Sequence, residues 1–100
     1  MNLVEKNIDK VRDLCLKHKV GRLFAFGSVI TDRFRSDSDI DLIVDFSGVE
    51  LYDYADNYFD LIYSLERLFN RDVDLLEDKA ISNPYLRRNI DSSKQLIYGQ

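Results

Sequence analysis

Two short apolar runs, Leu23-Phe24-Ala25-Phe26 and Ile40-Asp41-Leu42-Ile43-Val44, flank a polar segment that opens on Gly27-Ser28 and ends in Asp39-Ile40-Asp41. Their length, their β-branched and aromatic content and the turn formers around them mark both runs as strands. A strand that ends in Gly-Ser and opens into a helical turn can aim free backbone N–H groups at a phosphate. Carboxylates at i and i+2 of a strand point to the same face and can share a cation. Side by side, these parts make a site for a metal-bound nucleoside triphosphate.

The remaining chain limits what can surround that site. One hundred residues bound it to one domain, residues 1–100, with a single core. A hydrophobic fraction of 45% argues for a folded globule. No apolar run approaches the roughly 20 residues of a membrane helix, and Met1-Asn2-Leu3-Val4-Glu5-Lys6 lacks the order of a signal peptide. With Cys15 as the one cysteine, no internal disulfide forms, and the cytoplasm is the default location. The net charge of −4 argues against direct nucleic-acid binding, which favours a basic face.

Periodicity predicts a helix over 3–17 with Asn2 as its N-cap, ended by Gly21, and strands at about 22–27 and 39–46. Parity in the second strand puts Ile40, Leu42, Val44 and Phe46 on one face and Asp39, Asp41, Ile43 and Asp45 on the other. A long helix at 50–69 carries the stripe Leu51, Ala55, Tyr58, Ile62, Leu65 and Phe69. A third strand follows at about 72–76, with Val73 and Leu75 facing one way and Asp72, Asp74 and Leu76 the other. Asn83-Pro84 starts a helix of about 84–91, and residues 95–98 read as an edge strand or packed tail. This order predicts an α+β fold: a small mixed β-sheet with helices mainly on one face and Asp39, Asp41 and Asp74 together on the open face.

Magnesium takes oxygen ligands and is held by one or two carboxylates plus substrate phosphates. Three carboxylates on neighbouring strands suit a two-metal site. Asp39 and Asp41 are the expected metal ligands, and Asp74 either holds the nucleophile-side ion or accepts the hydroxyl proton. Ser28 and the N–H groups after Gly27 are expected to cradle the triphosphate, glycine keeping the approach clear. Arg33 or Arg35 neutralises phosphate charge.

The Gly27-Ser28, ten residues, Asp39-Ile40-Asp41 signature, with the later Val73-Asp74-Leu75, resembles the DNA polymerase beta superfamily of nucleotidyltransferases, and within it the minimal nucleotidyltransferase (MNT) group. The resemblance runs from about Leu23 to Leu76. It implies Mg2+-dependent transfer of a nucleoside monophosphate to a hydroxyl, with Asp39, Asp41 and Asp74 in the metal and catalytic roles and Gly27 and Ser28 on the triphosphate. Small stand-alone MNT proteins of this kind are commonly paired with a separate helical HEPN toxin, on which they adenylylate a tyrosine. The resemblance therefore implies ATP as donor, a HEPN partner, and antitoxin function. The chain departs from many relatives by carrying Val29 where they place a basic residue and Asp32 where they place a glycine. Arg33 or Arg35 is the expected substitute. Without a further acceptor-binding segment, acceptor recognition is expected to come from a hetero-oligomer or homodimer.

Plainer readings exist for each residue. Asp39 and Asp41 taken alone are a solvated strand start, and Ser28 alone is a helix N-cap. An EF-hand over Asp37, Asp39 and Asp41 fails because Leu42 and Gly48 stand where glycine and glutamate are needed. Asp37 reads as a turn residue and Asp45 as structural or exposed. His18, the one histidine, reads as a surface residue at a helix end, Cys15 as core, and Arg87 and Arg88 as solvated. Tyr52, Tyr54, Tyr58 and Tyr63 divide between core and surface. Two other functions fit the same residues: a nucleotide-binding antitoxin that silences its partner by contact, and a small-molecule nucleotidyltransferase.

Overall fold

The computed structural model describes residues 2–99. Asn2 caps the first turn: its side chain accepts from the Glu5 N–H at 2.9 Å, and the Glu5 carboxylate accepts from the Asn2 N–H at 3.1 Å. This reciprocal pairing satisfies two donors that a helix start leaves open. The segment is two helices rather than the one expected, α1 (Leu3–Lys6) and α2 (Ile8–Lys17). Asn7 divides them, with its backbone at φ −114° and its side-chain amide donating to the Leu3 carbonyl at 2.9 Å. Asparagine competes with a helix in this way for the backbone around it. Gly21 is not the stop signal. Lys19 turns the chain at φ 57°, and Gly21 lies within the first strand, β1 (Val20–Phe26).

The sheet is completed by β2 (Ile40–Phe46), β3 (Val73–Glu77) and β4 (Gln95–Tyr98), in the order β3-β2-β1-β4. β1 is antiparallel to both its neighbours, whereas β2 and β3 are parallel. Parallel neighbours need a crossover, supplied here by α3 (Tyr54–Phe69), which ends at Asn70 in the left-handed conformation that closes helices. β4 is an edge strand, so the tail at 95–98 is part of the sheet.

Sheet parity separates two apolar layers. Leu23, Ala25, Ile40, Leu42, Val44, Val73 and Leu75 pack beneath α1–α3, against Val4, Val11, Cys15, Leu61, Leu65 and Phe69. Full burial of a Leu or Ile side chain stabilises by about 1.5–3 kcal/mol, so this layer dominates the fold. On the opposite face, Phe24 and Ile43 meet Ile90 of α4 (Pro84–Ser93). Asn83 caps α4, its side chain accepting from the Tyr85 and Leu86 N–H groups. Three helices on one face and one on the other give the expected mixed α+β arrangement.

The α3 stripe differs from its expected register. Leu51 is 91% exposed, and Ala55 is also exposed, whereas Leu61, Leu65 and Phe69 are buried. Leu51–Asp53 form a 3-10 turn, whose three-residue period breaks the phase of the helix that follows. Of the tyrosines, Tyr54 donates to Glu77 at 2.6 Å and Tyr58 to the Leu75 carbonyl, while Tyr52 and Tyr63 are exposed. Arg87 is not merely solvated: it donates to the Asp78 carboxylate at 2.8 Å and the Asp78 carbonyl at 2.6 Å, tying α4 to the end of β3. Cys15 is in the core, and burial pushes its thiol up to about 12. Among the described residues, no helix is long and apolar enough to cross a membrane.

His18 overturns its surface reading, being only 2% exposed. Nδ1 lies 2.7 Å from the Leu14 carbonyl and Nε2 lies 2.6 Å from the Asp60 carboxylate. A backbone carbonyl and a carboxylate both accept, so the ring spans two acceptors on different helices. The hydrogen bond from His18 holds the Asp60 carboxyl below its ordinary range. His18 therefore closes α2 and joins it to α3. The expected result for His18→Ala is a loss of about 1–3 kcal/mol in chemical denaturation. An unchanged midpoint would refute the role of this link.

Candidate functional site

The site begins where β1 ends. Gly27 has φ +72°, a left-handed conformation that side-chain-bearing residues avoid. A Cβ at this position would stand 2.5 Å from Asp41 Oδ2. The left-handed turn favours glycine, and any larger residue would also have to push the end of the Asp41 side chain aside. Residues 27–30 form one 3-10 turn with no side-chain cap, so Ser28 is not acting as an N-cap. The Ser28 carbonyl accepts from the Thr31 N–H and from its hydroxyl, both at 2.9 Å, which folds the next segment back. Val29 is buried in the main core, so position 29 is closed to the basic residue found in many relatives.

Sheet register assembles the carboxylates. Asp41 lies opposite Phe26 of β1 and opposite Asp74 of β3. Parity places Asp41 and Asp74 on the α4 face, with Ile43 and Leu76. Asp39 and Asp74 are exposed, and Asp41 is half-buried. Burial, followed by the charges of Asp74 and then Asp39, holds the Asp41 carboxyl above the ordinary carboxylate range. The three groups therefore share one electrostatic neighbourhood. Their donor set is all oxygen, the chemistry that magnesium accepts. Among the described residues, no three such side chains form a ready-made metal cage. Magnesium does not need one, since it takes one or two carboxylates and completes its shell with water and phosphate.

Beside this group, Gly27, Ser28, Ile30, Thr31, Arg33 and Ser93 line a cavity of about 290 Å3. Arg33 contributes to this wall and Arg35 does not, which separates two arginines that the sequence left equivalent. Ser93, at the end of α4, also lines the cavity, although nothing in the sequence around it indicates a pocket shared with Ser28, 65 residues earlier. Asp37 lies in an exposed turn, and Asp45 pairs with Arg22 at 3.4 Å at the far end of β2.

The family profile described as "Polymerase beta, Nucleotidyltransferase" matches residues 9–100. The chain belongs to the polymerase beta nucleotidyltransferase family. It is 31% identical to a Methanocaldococcus jannaschii protein named as a candidate protein adenylyltransferase, over 93% of this chain and 98% of that one. A solved structure described as a candidate minimal nucleotidyltransferase is 33% identical, with a TM-score of 0.73 and 95% of each chain covered. The fold also matches a chain from a complex of tri-AMPylated Shewanella oneidensis HEPN toxin with MNT antitoxin. That match has 20% identity, a TM-score of 0.67, and coverage of 98% of this nucleotidyltransferase and 74% of the other chain.

Two outcomes follow from the geometry. Gly27→Ala is expected to cost about 1–2 kcal/mol in denaturant titration, the penalty of a left-handed alanine, and to displace the Asp41 carboxylate. A variant as stable as wild type would contradict this account. Asp41 has a raised folded value, so its ionisation disfavours folding, and that penalty grows in as pH rises from the ordinary carboxylate range through the raised value. Asp41→Asn is thus expected to melt above wild type at pH 7, the gain vanishing in acid. A lower melting temperature at pH 7 would contradict the cost of ionising this half-buried carboxylate.

Proposed function

We propose that this nucleotidyltransferase is Mg2+-dependent and transfers AMP from ATP to a tyrosine hydroxyl of a HEPN toxin, acting as its antitoxin. The observation that carries the reading is Asp41 lying opposite Asp74, with Asp39 acting on the same carboxylate and the Gly27-Ser28 turn packed against it. Electrostatic crowding of this kind costs stability and is common where a cation or a proton is to be handled. The sequence relative named for protein adenylylation supports a protein acceptor. The structural neighbour complexed with an AMPylated HEPN toxin supports the choice of partner.

Asp39 and Asp41 would hold the magnesium. When bound, the metal supplies positive charge that offsets the repulsion among the carboxylates and the phosphates. Ser28, the backbone N–H groups of the Gly27-Ser28 turn and Arg33 receive the β- and γ-phosphates in the cavity lined by these residues. This leaves the α-phosphate toward Asp41. The acceptor oxygen then bonds to the α-phosphorus while the bond from that phosphorus to the oxygen bridging to the β-phosphate breaks. Pyrophosphate departs, and the hydroxyl proton passes to Asp74, the exposed carboxylate across the strands.

The test incubates the purified protein and the product of the neighbouring gene with MgCl2 and α-32P-ATP. Label is expected on the partner, lost with EDTA, and reduced about 100- to 1000-fold in Asp41→Ala, as when one group stabilising transition-state charge is removed. If the partner stays unlabelled yet silenced, the chain acts by contact and the transfer reading is wrong.

A further inference from the structure

The segment between the Gly-Ser turn and the two aspartates has little to hold it. Thr31, Asp32, Arg33, Arg35, Ser36, Asp37 and Asp39 are all exposed. Its own bonds are local: the Arg33 N–H to the Thr31 hydroxyl at 3.2 Å, the Arg35 N–H to the Ser38 hydroxyl at 3.0 Å, and the Ser38 N–H to the Arg35 carbonyl at 3.1 Å. Yet this segment sets the position of Asp39 and Arg33. A segment that carries such groups needs a fixed shape, because reacting groups must be held close to their productive geometry.

Arg71 supplies that restraint from outside. Its Nη1 donates to the Arg35 carbonyl at 2.6 Å and to the Ser38 carbonyl at 3.1 Å. Its guanidinium lies over the Phe34 ring, 4.4 Å from the centroid, and Phe34 packs on the main core. Among the described residues, these are the hydrogen bonds that tie residues 31–38 to a part of the chain beyond Ser28. Arg71 itself is well anchored. Its backbone N–H bonds to the Glu66 carbonyl at 3.3 Å, and the next carbonyl, that of Asp72, accepts from the Ile40 N–H at 3.0 Å. One side chain therefore bridges the neck of β3, three residues before Asp74, to the residue preceding Asp39.

We infer that Arg71 is a positioning residue, which locks residues 31–38 and so fixes Asp39 and Arg33 relative to Asp41 and Asp74. The inference rests on the nucleotidyltransferase reading of that group. A planar guanidinium can stack on Phe34 while one of its N–H groups points at two carbonyls; a lysine ammonium has no such face. Arg71→Lys is accordingly a poor substitute.

The test compares wild type, Arg71→Ala, Arg71→Lys and the exposed-surface control Arg67→Ala. Amide hydrogen exchange is read over residues 33–40, together with affinity for α,β-methylene-ATP in MgCl2 and melting temperature. In Arg71→Ala, exchange of this segment is expected to rise about tenfold, the loss of roughly one net hydrogen-bond energy. Analogue affinity falls about tenfold or more in parallel, a shift of ~1.4 kcal/mol. Arg71→Lys recovers little of either, Arg67→Ala resembles wild type, and Arg71→Ala melts several degrees lower, since the contacts it loses belong to the folded state. Unchanged exchange in both Arg71 variants overturns the inference. So does faster exchange with unchanged affinity, which would leave Arg71 a clamp without a positioning role. Wild type that binds no analogue would instead sink the functional reading, and the exchange comparison alone would then decide the clamp.

Discussion

The parallel pairing of β2 with β3, in the register that sets Asp41 against Asp74, is the constraint on which the rest depends. Like charges directly opposite one another weaken a sheet. The pairing survives because the other face of the same strands buries Ile40, Leu42, Val44, Val73 and Leu75 beneath α3. Each such side chain contributes about 1.5–3 kcal/mol on burial, and together they exceed the cost of setting a half-buried carboxylate against an exposed one. A one-residue slip would turn every one of these apolar groups outward. The apolar face therefore fixes the register, and the register fixes the site.

A second strained feature adjoins the first. Gly27 bends the chain into the left-handed region with its Cα close under the Asp41 carboxylate. Backbone strain and carboxylate crowding both oppose folding, and they are concentrated at one end of the sheet. Functional sites often hold such conformations when the surrounding structure over-determines them. Here the restraints are the pairing of β1 with β2, the buried Val29, and the hydrogen bonds of Arg71 to the segment that leads into Asp39. The far end of the sheet, where Arg22 meets Asp45 and Tyr54 meets Glu77, consists of ordinary satisfied polar pairs.

Much of the site was legible in the chain because it is written in short-range spacing. The Gly-Ser pair at the end of one strand and the alternate aspartates opening the next follow from parity alone, and so does the outward face of Asp74. Val73 and Leu75 point one way because strands alternate, whatever lies beside them. The helix boundaries were less legible. Asn7 divides the first helix by a bond from its side chain to Leu3, and the 3-10 turn at 51–53 shifts the phase of α3, so that Leu51 and Ala55 are exposed. Neither follows from apolar periodicity.

What the sequence determined by itself is whatever depends on neighbours along the chain. That includes which faces are apolar and which aspartates the strand parity sets on the side away from the main core. Only the tertiary structure decided which distant groups meet. His18 looks like a surface residue until α3 brings Asp60 to it, 42 residues away. Arg33 and Arg35 stay equivalent until the chain folds, after which one lines the cavity and the other offers its carbonyl to Arg71. Ser93 joins the pocket only because α4 crosses the open face before β4 takes the sheet edge. Burial and long-range hydrogen bonding are properties of the packed chain, and local spacing carries no record of them.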